Sequence, residues 1–135
     1  MFEDRKHKAK GKYEKVILDR FIKSGQLKGT YDFEVWISNK TPPAPVNYEE
    51  RLKQANERLL EKRIDATCSA GFSLFCIEVK KKLDAEAVGQ VLVNSFQLKK
   101  KRGLEIDVYP AIVCEETDDY YLEYCKEKNI TVFRA

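Results

Sequence analysis

The sequence is short of the residues that hold transition metals. It has a single histidine, His7, and its four cysteines include no Cys-x-x-Cys pair. A structural zinc site needs four closely spaced Cys or His ligands, so no zinc is expected. No apolar run approaches the roughly 20 residues that cross a bilayer, which argues against a membrane partner. The N-terminal stretch is charged from its third residue and lacks the apolar centre of a secretory signal. An intracellular, cytoplasmic location is therefore expected. A strong charge imbalance is also missing: 25 basic against 22 acidic side chains leave a net charge of +3. That excess does not establish a nucleic-acid partner. Its distribution says more, because basic residues cluster over 5–12, 80–82 and 99–102. Such clusters neutralise phosphates, or else they are ordinary solvated lysines.

What is present suits one folded domain. The chain has 135 residues, with 43% hydrophobic and 35% charged, within the range of a single core. Residues 1–10 read as a basic flexible tail and 11–135 as the domain. From Lys12 onward the three- and four-residue spacing of Tyr13, Val16, Ile17 and Phe21, widened by Leu18 and Ile22, predicts a helix that stops near Gly25. Alternation over 31–37 predicts a strand. Three prolines, Pro42, Pro43 and Pro45, make 38–47 a loop, because proline donates nothing to a helix interior or a central ladder. Residues 48–62 are rich in good helix formers around a sparse stripe of Leu52, Ala55, Leu59 and Leu60.

Two short strands follow over 63–68 and 72–80, turned at Ser69-Ala70-Gly71. Asp84 can cap a helix running to about residue 100, with Ala85, Val88, Leu92 and Phe96 toward the core. A buried strand over 108–114, a helix capped by Thr117 or Asp118 and a closing strand over 130–133 complete the chain. That order predicts an α/β layer structure around a mixed sheet. Cys68, Cys76 and Cys114 lie in apolar strand-like runs, where a reduced thiol behaves as a small hydrophobe. A Cys68–Cys76 disulfide stays open, since those two strands can be neighbours.

The chemistry-bearing stretch is Ile64-Asp65 followed by Leu74-Phe75-Cys76-Ile77-Glu78-Val79-Lys80. Two strands otherwise made of core residues each carry a carboxylate, and the second adds a lysine two residues later on the same face. The acid-x-Lys pattern occurs only at Asp4-Arg5-Lys6 and at Glu78-Val79-Lys80. The first lies in a polar segment. The second closes an apolar run, where charge is costly unless it is paired or bound to a metal. Carboxylates converging from adjacent strands form a hard oxygen site suited to Mg²⁺ or Mn²⁺. A lysine beside that ion could orient the attacking water. The bland alternative is a buried ion pair of Lys80 with Asp65 or Glu78.

At these residues the chain resembles the PD-(D/E)xK nuclease superfamily, in particular its RecB-type and archaeal Holliday-junction-resolvase-like members. The likeness covers roughly residues 11–133 and rests on Arg63-Ile64-Asp65, then Phe75 to Lys80, then a helix bearing Ala87-Val88-Gly89-Gln90. It implies a restriction-endonuclease-like fold, a mixed central β-sheet flanked by α-helices. It further implies a Mg²⁺-dependent deoxyribonuclease, most naturally an endonuclease. Asp65, Glu78 and the Val79 carbonyl would hold the ion, with Glu14 of the first helix added to them. Lys80 would assist the water, and Gln90 would support the site from the following helix. Lys12, Lys81, Lys82, Lys99, Lys100, Lys101 and Arg102 would meet DNA, and cleavage of a junction would imply a homodimer. The family's proline before the aspartate is Ile64 here, and the 38–62 segment looks like an insertion. A non-catalytic DNA-binding or assembly protein that keeps the nuclease fold is the alternative. A general interaction protein with structural charges is the third.

Overall fold

The computed structural model describes residues 2–36, 49, 63–103 and 105–135. The loop expected over 38–47 and the helix over 48–62 lie outside these, apart from exposed Glu49. Five strands form one sheet in the order β1 (Thr30–Trp36), β2 (Arg63–Ala70), β3 (Ser73–Lys82), β4 (Asp107–Glu116), β5 (Thr131–Arg134). The first two pairings are antiparallel and the last two parallel. Among the described residues three helices flank it: α1 (Phe2–Ser24), α2 (Ala85–Arg102) and α3 (Asp119–Glu127). This is the mixed central sheet flanked by helices that the sequence implied.

Local chemistry sets the boundaries. Gly25 takes a positive φ of 71° where α1 stops, a conformation that costs glycine little. The β2–β3 hairpin turns tightly between Ala70 and Ser73, with Gly71 at φ 64°. Asp84 caps α2 by accepting from the Ala87 N–H at 2.8 Å, and Asp118 caps α3 by accepting from the Tyr120 N–H at 3.0 Å. Helix α1 begins at Phe2 rather than near Lys12. The apolar stripe begins only at Tyr13, but residues 2–10 include three lysines with Arg5, Glu3 and Ala9, good helix formers that sustain a helix without one.

The sheet has a core on each side. On one, Ile17, Leu18 and Phe21 of α1 pack on Ala66, Cys68, Ile77, Val79, Ala111 and Val113. Full burial of such side chains stabilises by about 1.5–3 kcal/mol each. On the other, Leu83, Ala87, Val88 and Val91 meet Ile112, Cys114, Cys125 and Ile130. Beside them Leu98 joins Ile64, Leu74 and Cys76. Both long helices bury only part of their expected stripes: Ile17, Leu18 and Phe21 of α1 and Val88 of α2 are core, and others are not. Tyr13 and Val16 are 47% and 52% exposed. On α2, Ala85 is exposed and Phe96 is 63% exposed, while Val91, Asn94, Ser95 and Leu98 are buried. Each helix carries more apolar residues than one stripe can hold, and packing selects among the overlapping stripes.

All four cysteines are free and buried. Cys68 sits opposite Phe75 and Cys76 opposite Thr67. Adjacent register positions point to opposite faces, so the two thiols belong to different cores and cannot meet. The disulfide left open by the sequence is thereby closed off.

Candidate active site

The two central hairpin strands part company at the charged residues. Pairing of β2 with β3 runs from Ala70–Ser73 to Ala66–Ile77 and goes no further among the described residues. Strand β3 stays paired with β4 as far as Lys82–Glu116, while β2 continues beside β1 to Arg63. A notch opens between them. Asp65 sits at its edge, between Ile64 and Ala66, which pack into opposite cores although only two residues apart. The Val79 N–H donates to Asp65 Oδ2 at 2.9 Å, a place that a backbone carbonyl of β2 would otherwise hold. The side chain therefore replaces a ladder bond and is fixed by it.

Glu78 enters the same notch from β3 and is only 8% exposed. Burial pushes its carboxyl far above the usual carboxylate range. The nearby charges of Asp65 and Glu14 and a hydrogen bond with Asp65 add to the shift, and only Lys80 opposes it. A buried carboxyl that feels two further acids is in an unfavourable setting for carrying its own charge. Glu14 lines an adjoining cleft of about 410 Å³ with Gly11, Lys15, Leu18, Asp19, Phe33, Asp65 and Val79. Among the described residues no three His, Cys, Asp or Glu side chains stand ready as a metal cage. Glu14 is thus near the other two acids without completing a cage as it stands. The donors nonetheless suit a hard divalent cation. Mg²⁺ is commonly held by one or two carboxylates, with water and substrate phosphate supplying the rest.

The Lys80 ammonium meets acids at the start of α2. Its Nζ lies 3.1 Å from Glu86 Oε2 and 3.9 Å from Asp84 Oδ2, in the first turn of α2. Burial acts to lower its pKa. The hydrogen bond to Glu86 and the charges of Asp84, Glu86 and Glu78 outweigh that and raise it. Gln90 Nε2 donates to the other Glu86 oxygen at 3.4 Å, so Gln90 reaches the lysine through Glu86. The sequence pointed to Lys80 and Gln90 but not to Glu86. Its signal was available in the four-residue step Glu86 to Gln90, which aligns them on one face of a helix. The sequence allows an ion pair of Lys80 with Asp65 or Glu78; the acids found at its ammonium are Glu86 and Asp84, with the charge of Glu78 also felt.

The basic candidates divide into two groups. Lys81 lies beside the site, its Nζ 5.3 Å from the centre of the Tyr13 ring, and Lys12 and Lys82 are exposed. Lys99, Lys100, Lys101 and Arg102 end α2, on the order of 20 Å along the helix from Asp84 at 1.5 Å per residue. Lys99 donates to the Ile106 carbonyl at 3.1 Å, and Lys100 lies 5.9 Å from the Phe96 ring centre. The fold does not bring this group to the carboxylates.

No protein-family model and no curated protein matches the chain. Two solved structures resemble it in fold. A protein of unknown function, AF1548, superposes with a TM-score of 0.54 at 14% identity, over 89% of this chain and 56% of that one. A repair endonuclease from Pyrococcus abyssi superposes with a TM-score of 0.48 at 16% identity, over 73% of this chain and 48% of that one. This chain spans about half the length of either, and at such identities the likeness concerns the fold while function is left to the site.

Proposed function

We propose that this chain is a metal-dependent nuclease that hydrolyses DNA phosphodiester bonds. One observation carries the reading: buried Glu78 and Asp65 converge where β2 and β3 separate, an acidic pair that nothing in the apolar core requires. Asp65, Glu78 and the Val79 carbonyl would hold Mg²⁺ or Mn²⁺, with Glu14 close enough to add a water-mediated contact. The bound ion supplies Lewis-acid stabilisation of phosphate charge and a more acidic water. The protein's share is positional. Asp65 is held by the Val79 N–H, Glu78 is held by burial, and the Lys80 ammonium offers positive charge at the mouth of the notch. Gln90 and Glu86 set where that ammonium rests.

The test is cleavage of supercoiled, linear and branched DNA with Mg²⁺ or Mn²⁺, beside Mn²⁺ binding measured by electron paramagnetic resonance. Wild type should bind the ion and cut, and Asp65→Asn should do neither. Wild type that neither binds nor cuts overturns the proposal. The engagement of Lys80 with Glu86 and Asp84 favours a second reading, a DNA-binding protein in which the lysine is structural. Mn²⁺ binding and retention of DNA without cleavage on any of the three substrates would select it.

A further inference from the structure

Next to the carboxylates the cleft carries an aromatic feature that phosphodiester hydrolysis does not itself require. Tyr31 and Phe33 stand two residues apart on β1 and so share a face. Their rings are nearly parallel, 11° between planes and 6.4 Å between centres. Tyr31 is the fixed member. Its hydroxyl donates to the Leu27 carbonyl and its ring packs against the α1 core. Phe33 is 55% exposed, although it lines the cleft that also holds Asp65 and Glu14. A half-exposed phenylalanine on an anchored aromatic neighbour is a ready stacking surface.

The charges around it limit what can lie there. Glu14, Asp19 and Asp65 line the cleft against Lys15, and its remaining walls are Gly11, Leu18, Phe33 and Val79. With Asp65 and Glu14 engaged by the ion, Asp19 and Lys15 offset one another and the rest of the slot is apolar, so it offers a phosphate backbone no net positive charge and a neutral aromatic ring a fitting surface. Gly11 adds room, since a Cβ there would meet nothing within 4 Å. We infer that the Phe33 cleft takes one unpaired nucleobase adjoining the scissile phosphate, so that the preferred substrate is single-stranded or frayed DNA rather than continuous duplex. This rests on the nuclease reading for its orientation, with the phosphate at the Asp65 end and the base against Phe33. Stacking on an aromatic side chain tolerates any sequence, because every base has a π-face.

The experiment uses the full chain and a single-stranded oligonucleotide containing 2-aminopurine, with Ca²⁺ present so that binding is read without turnover. Wild type should quench the fluorophore and bind the single strand more tightly than a hairpin duplex of the same sequence. Phe33→Ala should weaken single-strand binding by about five- to a hundredfold and lose the quenching, while duplex binding moves by less than about twofold. Phe33→Trp should restore both. Phe33→Leu, which keeps an apolar side chain, should restore neither. Single-strand affinity unchanged in Phe33→Ala, or an equal loss on duplex, overturns the inference. Wild type that cuts DNA but is indifferent to Phe33 sinks the stacking and leaves the nuclease standing. Loss of quenching in a protein that never cuts does the reverse.

Discussion

Glu78, in the middle of β3, and Glu115, near the end of the parallel neighbour β4, stand in opposite electrostatic settings. Glu115 meets partners of complementary character: Arg20 Nη2 at 2.7 Å and the Tyr13 hydroxyl at 2.7 Å, with Lys81 close by. The hydrogen bonds from Arg20 and Tyr13 hold its carboxyl below the usual range. Glu78 meets other acids and burial, and its carboxyl is driven the other way. Glu115 ties α1 and the chain end to the sheet, a task that solvated ion pairs perform at little cost. Glu78 is held against the electrostatics of its surroundings, whereas Glu115 is held by them.

The sharpest way to break this contrast is to remove the acids one at a time. Asp65→Asn and Glu78→Gln should each lower metal-dependent cleavage by at least about a hundredfold, while Glu115→Gln should leave it nearly untouched. Chelation should act on wild type as strongly as either substitution. Wild-type turnover in Glu78→Gln, read in a single-turnover assay, would remove Glu78 from the metal site.

Next in size is Lys80. Lys80→Ala should slow cleavage by a factor on the order of a hundred, as loss of a positioned electrostatic group commonly does. DNA affinity in Ca²⁺ should change much less. Parallel collapse of folding, binding and cleavage would instead make the Lys80–Glu86 pair purely structural.

A smaller effect separates the two glutamates by pH. The folded metal-free protein keeps a proton on Glu78 at pH values where the unfolded chain has already lost it. The stability this contributes is complete below the ordinary glutamate pKa and declines as pH rises toward the raised folded value. Metal-free wild type should therefore melt lower at pH 8 than at pH 5, and Glu78→Gln should flatten that part of the profile. A saturating divalent cation should reverse the trend, since it competes with the proton. A melting profile identical in wild type and Glu78→Gln would contradict the burial of this charge.

The smallest effect belongs to Glu115. Its contribution has the opposite sign, present above the ordinary glutamate pKa and lost as pH falls through the depressed one. Glu115→Gln should shift the melting temperature by only a degree or two, detectable by calorimetry at low salt and fading at high salt. A larger loss would mean that the Arg20–Tyr13 contact is more than a tether.

The strands were legible because period-2 alternation, the Gly71 turn and the Asp84 and Asp118 caps are local signals. Which part of each helix stripe is buried was not legible. Tyr13 and Phe96 look like core residues in the periodicity, yet the sheet buries only Ile17, Leu18 and Phe21 from the first stripe and adds Val91 and Leu98 to the second, a choice made by tertiary packing. In the site, Asp65, Glu78 and Lys80 stood out because charge interrupts apolar strands. That Lys80 pairs with the first turn of α2 was not readable, since acids near a helix start also serve as caps and dipole partners. The stacked pair on β1 was equally silent, because Tyr and Phe in a strand ordinarily report sheet propensity.

Much of the site lies within thirteen consecutive residues, from Glu78 on β3 through Lys80, Asp84 and Glu86 to Gln90 on α2. Register in β3 therefore governs core and site together. Ile77 and Val79 face α1, while Cys76 belongs to the opposite core and alternation sets Glu78 and Lys80 on that side. A single residue inserted between Ser73 and Ile77 would turn Glu78 toward Ile17 and Phe21 and move the valine to the charged side. No neighbouring side chain could repair that. The stretch of β3 before Glu78 can lengthen only in steps of two if the apolar and charged faces are to keep their sides.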